Sequence, residues 1–218
     1  MNTLRFIIAD DHPLFRAALK VNLSQNFEQC IIHEAASIAE LQDLLVIDSE
    51  CDLILLDLHM PDAKGFSGLI HLQAHYPEIP VMVISGSETP DVMARAIDHG
   101  AAGFLPKSSQ VEVMTRAINA VTAGSRWLPN NIHYQAEKDH SDQQLANDIA
   151  SLTPQQFRVA TLLVQGLLNK QIAYELHVTE ATIKAHVTEI FRKLGVHSRT
   201  QAALLFSRLE VTPPQLTD

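Results

Sequence analysis

Five polar side chains that could do chemistry together follow short apolar runs of the sequence: Asp10, Asp11, Asp57, Ser85 and Lys107. Three carboxylates in one place repel each other, since two charges ~5 Å apart cost about 3 kcal/mol at an effective dielectric of ~20. Such a cluster needs a divalent cation, a nearby lysine or protonation to persist. Because oxygen ligands that leave room for water favour Mg²⁺ over zinc or copper, the three aspartates predict a magnesium site.

Asp57 is the strongest candidate for a nucleophile. It ends the central apolar run, and the turn that follows it, Leu58 to Gly65, would hold its carboxylate exposed. A carboxylate of this kind can accept a phosphoryl group from a donor. Mg²⁺ and Lys107 would neutralise charge on the transferring group, and the Ser85 hydroxyl could donate a hydrogen bond to one of its oxygens.

The elements that must position these groups alternate along residues 1–125. Apolar runs lie at 4–9, 30–36, 52–57, 80–85 and 102–105, and amphipathic stretches lie at 13–24, 38–48, 64–75, 90–99 and 108–123. Runs that are apolar throughout, such as Leu53 to Leu56, are typical of strands covered on both faces. Five strand–helix units with right-handed crossovers predict an α/β doubly wound five-stranded parallel sheet. Ligands of such sheets bind beyond the carboxyl ends of the strands, where the polar side chains fall.

Charge divides the chain into zones. The 218 residues carry a net charge of −9, which argues against a uniformly basic nucleic-acid surface and against an anionic membrane as the main partner. Residues 1–130 nevertheless hold a net −8, whereas residues 151–209 hold a net +4. We predict an acidic domain at 1–125, a polar linker at 126–150, a mildly basic domain at 151–210 and a tail at 211–218.

The composition also excludes some classes of protein. No stretch approaches the ~18 apolar residues of a membrane span, so we expect a cytoplasmic chain without a membrane partner. Two cysteines, Cys30 and Cys51, stand in apolar contexts and do not suggest a disulfide framework or a zinc site.

The basic domain is predicted to be all-α with four helices, near 154–166, 170–176, 180–194 and 199–209. Thr153, Pro154 and Gln156 have the pattern of a capping box with proline at the first helical position, which starts the first helix. The gap between the second and third helices is about three residues, the length found in DNA-binding helix-turn-helix motifs.

The third of these helices has two different faces at ~100° per residue. One face is apolar, and the other combines small residues with cations, which suits close approach to a major groove. Ala185 and Thr188 could contact bases, while Lys184 and Arg192 could contact phosphates or guanine. The predicted contacts to double-stranded DNA are Lys184, Ala185, His186, Thr188, Arg192, Lys193, Thr182 and Lys170.

The last helix has more apolar surface than one local core needs. Ala202, Leu205 and Leu209 form one stripe, and Phe206 lies beside it. We predict that these four residues form a homodimer face, with half-sites about one helical turn apart on DNA.

Two known modules share these motifs. Asp10-Asp11, the run Asp57-Leu58-His59-Met60-Pro61 with Gly65, Ser85-Gly86, Gly103-Phe104 and Lys107 resemble the flavodoxin-like receiver domain of bacterial two-component response regulators. The basic domain resembles the LuxR-type helix-turn-helix in Leu152-Thr153-Pro154, Asn169-Lys170-Gln171-Ile172-Ala173, Thr182-Ile183-Lys184-Ala185-His186-Val187 and Ser198-Arg199-Thr200-Gln201-Ala202. Together the modules resemble the NarL/FixJ subfamily.

The receiver resemblance implies a role for each residue of the site. It makes Asp57 the phosphoacceptor for a sensor histidine kinase, and it makes Ser85 and Phe104 the switch positions. Asp11 and Asp57 would bind Mg²⁺ directly, Asp10 would bind it through water, and the main-chain carbonyl of His59 would supply a further ligand. The LuxR-type resemblance implies that the last helix pairs two DNA-bound subunits.

Three functions compete. The first is a phosphorylation-controlled DNA-binding transcriptional regulator, which is not an enzyme beyond promoting its own phosphorylation and dephosphorylation. The second keeps DNA binding but makes the receiver a phosphorylation-independent dimerisation or ligand-sensing module. The third is a Mg²⁺-dependent small-molecule phosphatase, which the acidic cluster permits but no substrate pocket or cap domain supports.

Overall fold

The first half of the chain is a parallel sheet flanked by helices. The computed structural model describes residues 3–47, 50–129 and 140–212. Its elements up to residue 129 are β1 (Leu4–Ala9), α1 (Pro13–Asn26), β2 (Cys30–Ala35), α2 (Ile38–Ile47), β3 (Leu53–Asp57), α3 (Ser67–His75), β4 (Val81–Ser85), α4 (Pro90–Asp98), β5 (Gly103–Pro106) and α5 (Val111–Thr122). The strand order is β2-β1-β3-β4-β5, and every pairing is parallel. The predicted doubly wound five-stranded sheet is confirmed.

The strands bury both of their faces, as their continuous apolar runs predict. Phe6 and Ile8 of β1 pack in a core with α1 and α5, whereas Ile7 and Ala9 of the same strand pack in the core that contains α2, α3 and α4. Because the strands are parallel, the carboxyl ends of β1, β3, β4 and β5 meet at one edge of the sheet, and the candidate site lies there.

The second half of the chain contains the four predicted helices. They are α7 (Pro154–Val164), α8 (Asn169–Glu175), α9 (Glu180–Leu194) and α10 (Arg199–Ser207). The helix α7 starts where the capping box predicts: Thr153 Oγ1 accepts the amide of Gln156, and Gln156 Oε1 accepts the amide of Thr153. Four residues, 176–179, join α8 to α9, which pack against each other as a helix-turn-helix.

The predicted linker at 126–150 is wrong in its described parts. Trp127 forms a β-bridge with Gly103 of β5. A helix, α6 (His140–Ala150), packs against α3 and α9, and its Leu145 and Ile149 are fully buried. Two large apolar side chains four residues apart share one helix face, which is enough to dock a short helix. Residues 130–139 of the predicted linker lie outside the described residues.

The predicted tail at 211–218 is also wrong in its described part. Val211 is buried, and the Thr212 carbonyl accepts the Ser87 hydroxyl of the receiver half at 2.6 Å. Residues 213–218 lie outside the described residues.

The two cysteines, Cys30 and Cys51, are both half-buried. Within 3–47, 50–129 and 140–212, the helices all lack the length and apolar character needed to cross a membrane.

The two halves pack together through α7. The Phe157 ring of α7 stacks on the His71 ring of α3, with centroids 4.2 Å apart and planes 11° apart. Arg158 donates to the Ala39 carbonyl and to Gln42 Oε1 of α2, at 2.7 Å each. The buried apolar residues of α3, α6, α7 and α9 belong to one continuous core, so the receiver half and the helical half are docked in this structure.

The folded chain should lose stability in acid through His71, a buried residue of this interface. Burial lowers the pKa of His71 to about 3 from its ordinary value of 6.5, so the imidazole is neutral in the folded chain. The contribution of the neutral ring to the free energy of unfolding is complete above pH 6.5. It is lost progressively as the pH falls from 6.5 towards 3, because in this range the ring is protonated in the unfolded chain and still neutral in the folded chain. At pH 5 the loss amounts to about 2 kcal/mol.

The test is chemical unfolding of wild type and His71→Phe at pH 7 and pH 5. The Phe side chain keeps a ring beside Phe157 but does not titrate. Burial also lowers the pKa of His99 to about 4, so both proteins should lose stability in acid. The loss should be smaller in His71→Phe by about 2 kcal/mol, and equal losses in the two proteins would show that His71 does not contribute.

Candidate functional site

The sheet brings the predicted site residues together at its carboxyl edge. Lys107 Nζ lies 2.7 Å from Asp10 Oδ2 and 2.9 Å from Asp57 Oδ2, so one ammonium joins the ends of β1 and β3. Asp10 and Asp57 are buried, whereas the Asp11 side chain is about one-third exposed. The carboxylates of Asp10, Asp11 and Asp57 lie within 4.8 Å of one another. The convergence that the strand ends predict is therefore present.

His59 and Lys107 together keep the central carboxylate ionised. Burial raises the pKa of the Asp57 carboxyl, but contacts with His59 and Lys107 outweigh burial, and the pKa is lowered overall. Burial lowers the pKa of Lys107, but contacts with Asp10 and Asp57 outweigh burial and raise the pKa above its ordinary value, so the ammonium stays charged. A carboxylate that is buried and yet ionised is a competent nucleophile.

Two histidines border the cluster, one of which the sequence prediction missed. His12 Nδ1 lies 2.7 Å from Asp11 Oδ1 and 3.1 Å from Asp10 Oδ1. The run Asp10-Asp11-His12 could have pointed to this contact, since the three residues follow one strand end. His59 Nδ1 lies 3.6 Å from Asp57 Oδ1, which is the first cause of the raised pKa of His59.

The cluster fits a hard divalent cation. Asp57 Oδ1 is buried and accepts no hydrogen bond from any residue that the structure describes. An acceptor left unsatisfied beside two further carboxylates is costly without a cation. The oxygen-rich donor set suits Mg²⁺, whereas the single imidazole of His12 does not make the site a zinc site.

The two predicted switch residues are both buried. The Ser85 hydroxyl at the end of β4 accepts the amide of Ser87 at 3.1 Å, so it is engaged in its own loop. Phe104 of β5 is fully buried in the core on the α4 side of the sheet. Ser85 thus reaches the edge that carries the aspartates, and Phe104 lies below it in the core.

The helix α9 has the two predicted faces. Ile183, Ile190 and Leu194 are buried, with Val187 and Phe191 half-buried beside them. The opposite face is exposed and carries Ala181, Lys184, Ala185, Thr188 and Arg192. Because α9 packs on α6, α7 and α8 with its apolar side, its small and cationic side chains face solvent.

The other residues predicted to contact DNA differ in how far their side chains are exposed to solvent. Lys170 and Thr182 are exposed, and His186 is half-buried. Lys193 donates to the Ser151 carbonyl at 2.6 Å and to Gln156 Oε1 at 2.8 Å, so this ammonium ties α9 to the start of α7. In this conformation Lys193 supports the fold and is not presented to DNA.

The predicted dimer face on α10 is covered. Ala202, Phe206 and Leu209 are buried within the chain, and Leu205 is half-buried. The prediction is wrong for the docked chain because α10 packs against α7 of its own half. Leu209, just beyond α10, lies against the receiver half, where the Phe66 amide donates to its carbonyl at 3.0 Å. Among the large apolar side chains of α10, Leu204 is exposed.

Comparison with known proteins agrees with both halves. The family described as response regulator receiver domain matches residues 6–119, and the family described as bacterial regulatory proteins, luxR family, matches residues 150–206. The chain is 39% identical over 214 residues to the glycerol metabolism activator of Pseudomonas putida, a match that covers 95% of this chain and 97% of that protein. It is 32% identical over 200 residues to the nitrate/nitrite response regulator protein NarP of Escherichia coli, with 92% and 93% covered.

A solved structure shows the same fold. The RcsB response regulator of Salmonella typhimurium superposes with a TM-score of 0.56 at 23% identity, and the match covers 95% of this chain and 100% of that one. The acidic edge of the sheet lies in the part that matches the receiver family, and α9 lies in the part that matches the luxR family. The chain therefore belongs to the two-component response regulators, transcription regulators that join a receiver domain to a LuxR-type DNA-binding domain.

Proposed function

We propose that Asp57 accepts a phosphoryl group from a sensor histidine kinase and that this modification controls binding to double-stranded DNA. The observation that carries the proposal is the ionised, buried Asp57 carboxylate held 2.9 Å from Lys107 Nζ, in the same chain as an exposed recognition helix. A DNA-binding regulator acts where the chromosome is, so we place the chain in the cytoplasm.

The transfer is a simple displacement. A carboxylate oxygen of Asp57 attacks the phosphorus of a phosphohistidine; the new P–O bond forms as the P–N bond breaks, and the electron pair stays on the leaving imidazole nitrogen. Lys107 Nζ, which lies 2.9 Å from Asp57 Oδ2, would stabilise the negative charge on the phosphoryl oxygens. Ser85, on the neighbouring strand, is placed to follow the phosphoryl group with its hydroxyl once its bond to the Ser87 amide is exchanged.

Magnesium would complete the site. Asp11 and Asp57 would hold the ion directly, Asp10 through water, and the main chain of His59 would add an oxygen. Bound there, the ion would neutralise charge on the transferring group. The unsatisfied Asp57 Oδ1 supports this assignment, because a cation would supply its missing partner.

Phosphorylation can be tested without the kinase. We expect wild type incubated with acetyl phosphate and Mg²⁺ to gain one phosphoryl group by intact-protein mass spectrometry, and we expect Asp57→Asn to gain none. Asp91→Asn is the matched control, since Asp91 is an exposed carboxylate on α4. Phosphorylation of Asp57→Asn at the wild-type level would refute the assignment, as would unmodified wild type.

The DNA contacts can be separated by their salt dependence. We expect Lys184→Ala to weaken binding uniformly across sequences and to reduce the salt slope by about one, as loss of a phosphate contact does. We expect Thr188→Ala to change sequence preference with little change in slope. Both side chains are exposed on α9.

Measurement of affinity for a selected binding site and for random DNA at several salt concentrations checks both expectations. Lys20→Ala is the control, because this exposed lysine lies on α1 and pairs with Glu34 of the receiver. Wild-type affinity, slope and preference in both α9 variants would show that α9 does not read DNA.

We propose that the active form is a homodimer paired through α10. The exposed Leu204 and the half-buried Leu205 support this, together with Phe206 and Leu209 once the end of α10 leaves the receiver. A net charge of only +4 in residues 151–209 also favours two copies on DNA, because one copy neutralises few phosphates.

A further inference from the structure

A phenylalanine on α1 lies against the ammonium that joins the two buried aspartates of the site. Lys107 Nζ lies over the Phe15 ring, 4.9 Å from its centroid, and the same atom contacts Asp10 Oδ2 at 2.7 Å and Asp57 Oδ2 at 2.9 Å. A cation within about 6 Å of an aromatic ring is attracted by the negative face of that ring. The charge of Lys107 is therefore held by two carboxylates and one aromatic ring.

The first turn of α1 is fixed to the end of β1, and this fixes the position of the Phe15 ring. The His12 amide donates to Asp10 Oδ1 at 2.8 Å, and Arg16 Nη1 donates to the Asp10 carbonyl at 2.6 Å. These two bonds lie on either side of Phe15 in the sequence. A movement of the ring away from the carboxylates would therefore have to break them.

Phe15 also belongs to a core. Its side chain is half-buried and packs against the apolar core between the sheet and the helices α1 and α5. Packing alone accepts another apolar side chain of similar volume, whereas attraction to Lys107 needs the negative face of an aromatic ring. The two roles can therefore be separated by side chains that have the size of phenylalanine but a different charge distribution.

The contact between the ring and the ammonium lies largely out of water. The Lys107 side chain is 19% exposed, and the attraction between a cation and an aromatic ring becomes stronger as the cation loses water. Burial lowers the pKa of Lys107, and its contacts with Asp10 and Asp57 outweigh burial. The ring acts in the same direction as the carboxylates, because it also favours the charged form of the amine.

We propose that Phe15 is a positioning residue for phosphoryl transfer to Asp57 and that it acts through Lys107. The inference rests on the proposed function. The ammonium must turn from Asp57 Oδ2 towards the incoming phosphoryl oxygens, and during this movement the Asp57 carboxylate no longer holds it. The Phe15 ring keeps the ammonium at the carboxyl edge of the sheet and out of water, where its charge acts most strongly on the transferring group.

Replacement of Phe15 by leucine should slow phosphorylation of Asp57 about tenfold, because leucine fills the core but has no negative face. Phe15→Tyr should restore a rate within about twofold of wild type, since a phenol ring also attracts a cation. Phe27→Leu is the matched control: Phe27 belongs to the same core, and its ring packs edge-on against Phe6 at 5.2 Å. The rates are measured by intact-protein mass spectrometry at short times with acetyl phosphate and Mg²⁺.

Fluorinated phenylalanines test the electrostatic part directly. One, two or three fluorine atoms withdraw electrons from the ring and weaken its negative face step by step, while the size of the side chain changes little. Incorporated at position 15 alone, they should lower the logarithm of the phosphorylation rate by a similar step for each fluorine. The same residues at position 27 should leave the rate unchanged. Equal rates along the series at position 15 would overturn the proposal, even if Phe15→Leu is slow.

A double-variant cycle tests whether Phe15 acts through Lys107. In the Lys107→Ala background the ring has no ammonium to hold, so Phe15→Leu should lower the phosphorylation rate no further. A further tenfold loss in that background would show that Phe15 supports the site by packing alone, and it would overturn the proposal.

Hydrogen exchange between the Lys107 ammonium and water separates this proposal from the proposed function, because it needs no phosphoryl transfer. Measured by ¹⁵N NMR on the full chain, we expect exchange about tenfold faster in Phe15→Leu than in wild type and unchanged in Phe27→Leu. Faster exchange in Phe15→Leu, with a wild type that gains no phosphoryl group, would refute the proposed function and leave Phe15 as the residue that holds Lys107. Unchanged exchange in Phe15→Leu, with a wild type that is phosphorylated, would overturn the role of Phe15 alone.

Discussion

Replacement of Lys107 by alanine should slow phosphorylation of Asp57 by about 100-fold, the usual effect of removing one charge-stabilising group from a transition state. Lys107 Nζ contacts both Asp10 and Asp57, at 2.7 Å and 2.9 Å. Without it, the phosphoryl oxygens would lose their counter-charge. The rate is measured by intact-protein mass spectrometry at short times with acetyl phosphate and Mg²⁺.

The same variant should bind Mg²⁺ more tightly. In wild type the ammonium already neutralises part of the carboxylate cluster, so its removal leaves a more negative site for the cation. Tighter binding of Mg²⁺ together with slower phosphorylation separates an electrostatic role from loss of folding, which would weaken both. Lys20→Ala is the control for loss of a lysine, since it lies on α1 and pairs with Glu34. Unchanged rate and unchanged Mg²⁺ affinity in Lys107→Ala would contradict the assigned role.

Replacement of Arg158 by alanine should open the docked chain. Arg158 donates to the Ala39 carbonyl and to Gln42 Oε1, and it also contacts Asp43 at 2.5 Å. The Asp43 side chain is 64% exposed, so that ion pair contributes little. The two bonds to α2 are partly buried and involve a charge, so together their loss should weaken the docking by about 3 kcal/mol.

Small-angle X-ray scattering and limited proteolysis would detect the opening as a larger radius of gyration and as faster cleavage between the domains. Arg116→Ala is the matched control, because Arg116 is exposed on α5, on the other side of the sheet. A scattering profile identical to that of wild type would show that Arg158 does not hold the domains together.

Local pattern predicts the fold and the site well. Continuous apolar runs such as Leu53 to Leu56 identify strands buried on both faces, and Thr153 with Gln156 identifies the start of α7. Parallel pairing then requires that the strand ends meet, so Asp10, Asp57 and Lys107 come together whatever the details of the loops. Periodicity also assigns the two faces of α9, because burial of one face follows from the spacing of its apolar residues.

Contacts between the domains could not be predicted in this way. The helix α6 shows only two large apolar side chains, Leu145 and Ile149, and what buries them is α3, a distant part of the chain. The apolar surface of α10 predicts a covering partner, yet sequence does not say whether a second copy or the receiver supplies it. In the docked chain the receiver covers Leu209, through a contact that depends on Gly65.

Control of DNA binding by phosphorylation of Asp57 can be measured on the purified chain. DNA affinity is compared for wild type and Asp57→Asn, each with and without acetyl phosphate and Mg²⁺, at fixed salt. We expect the donor to increase the affinity of wild type and to leave that of Asp57→Asn unchanged. Equal affinity under all four conditions would contradict the claim and leave the receiver a module that acts without phosphorylation.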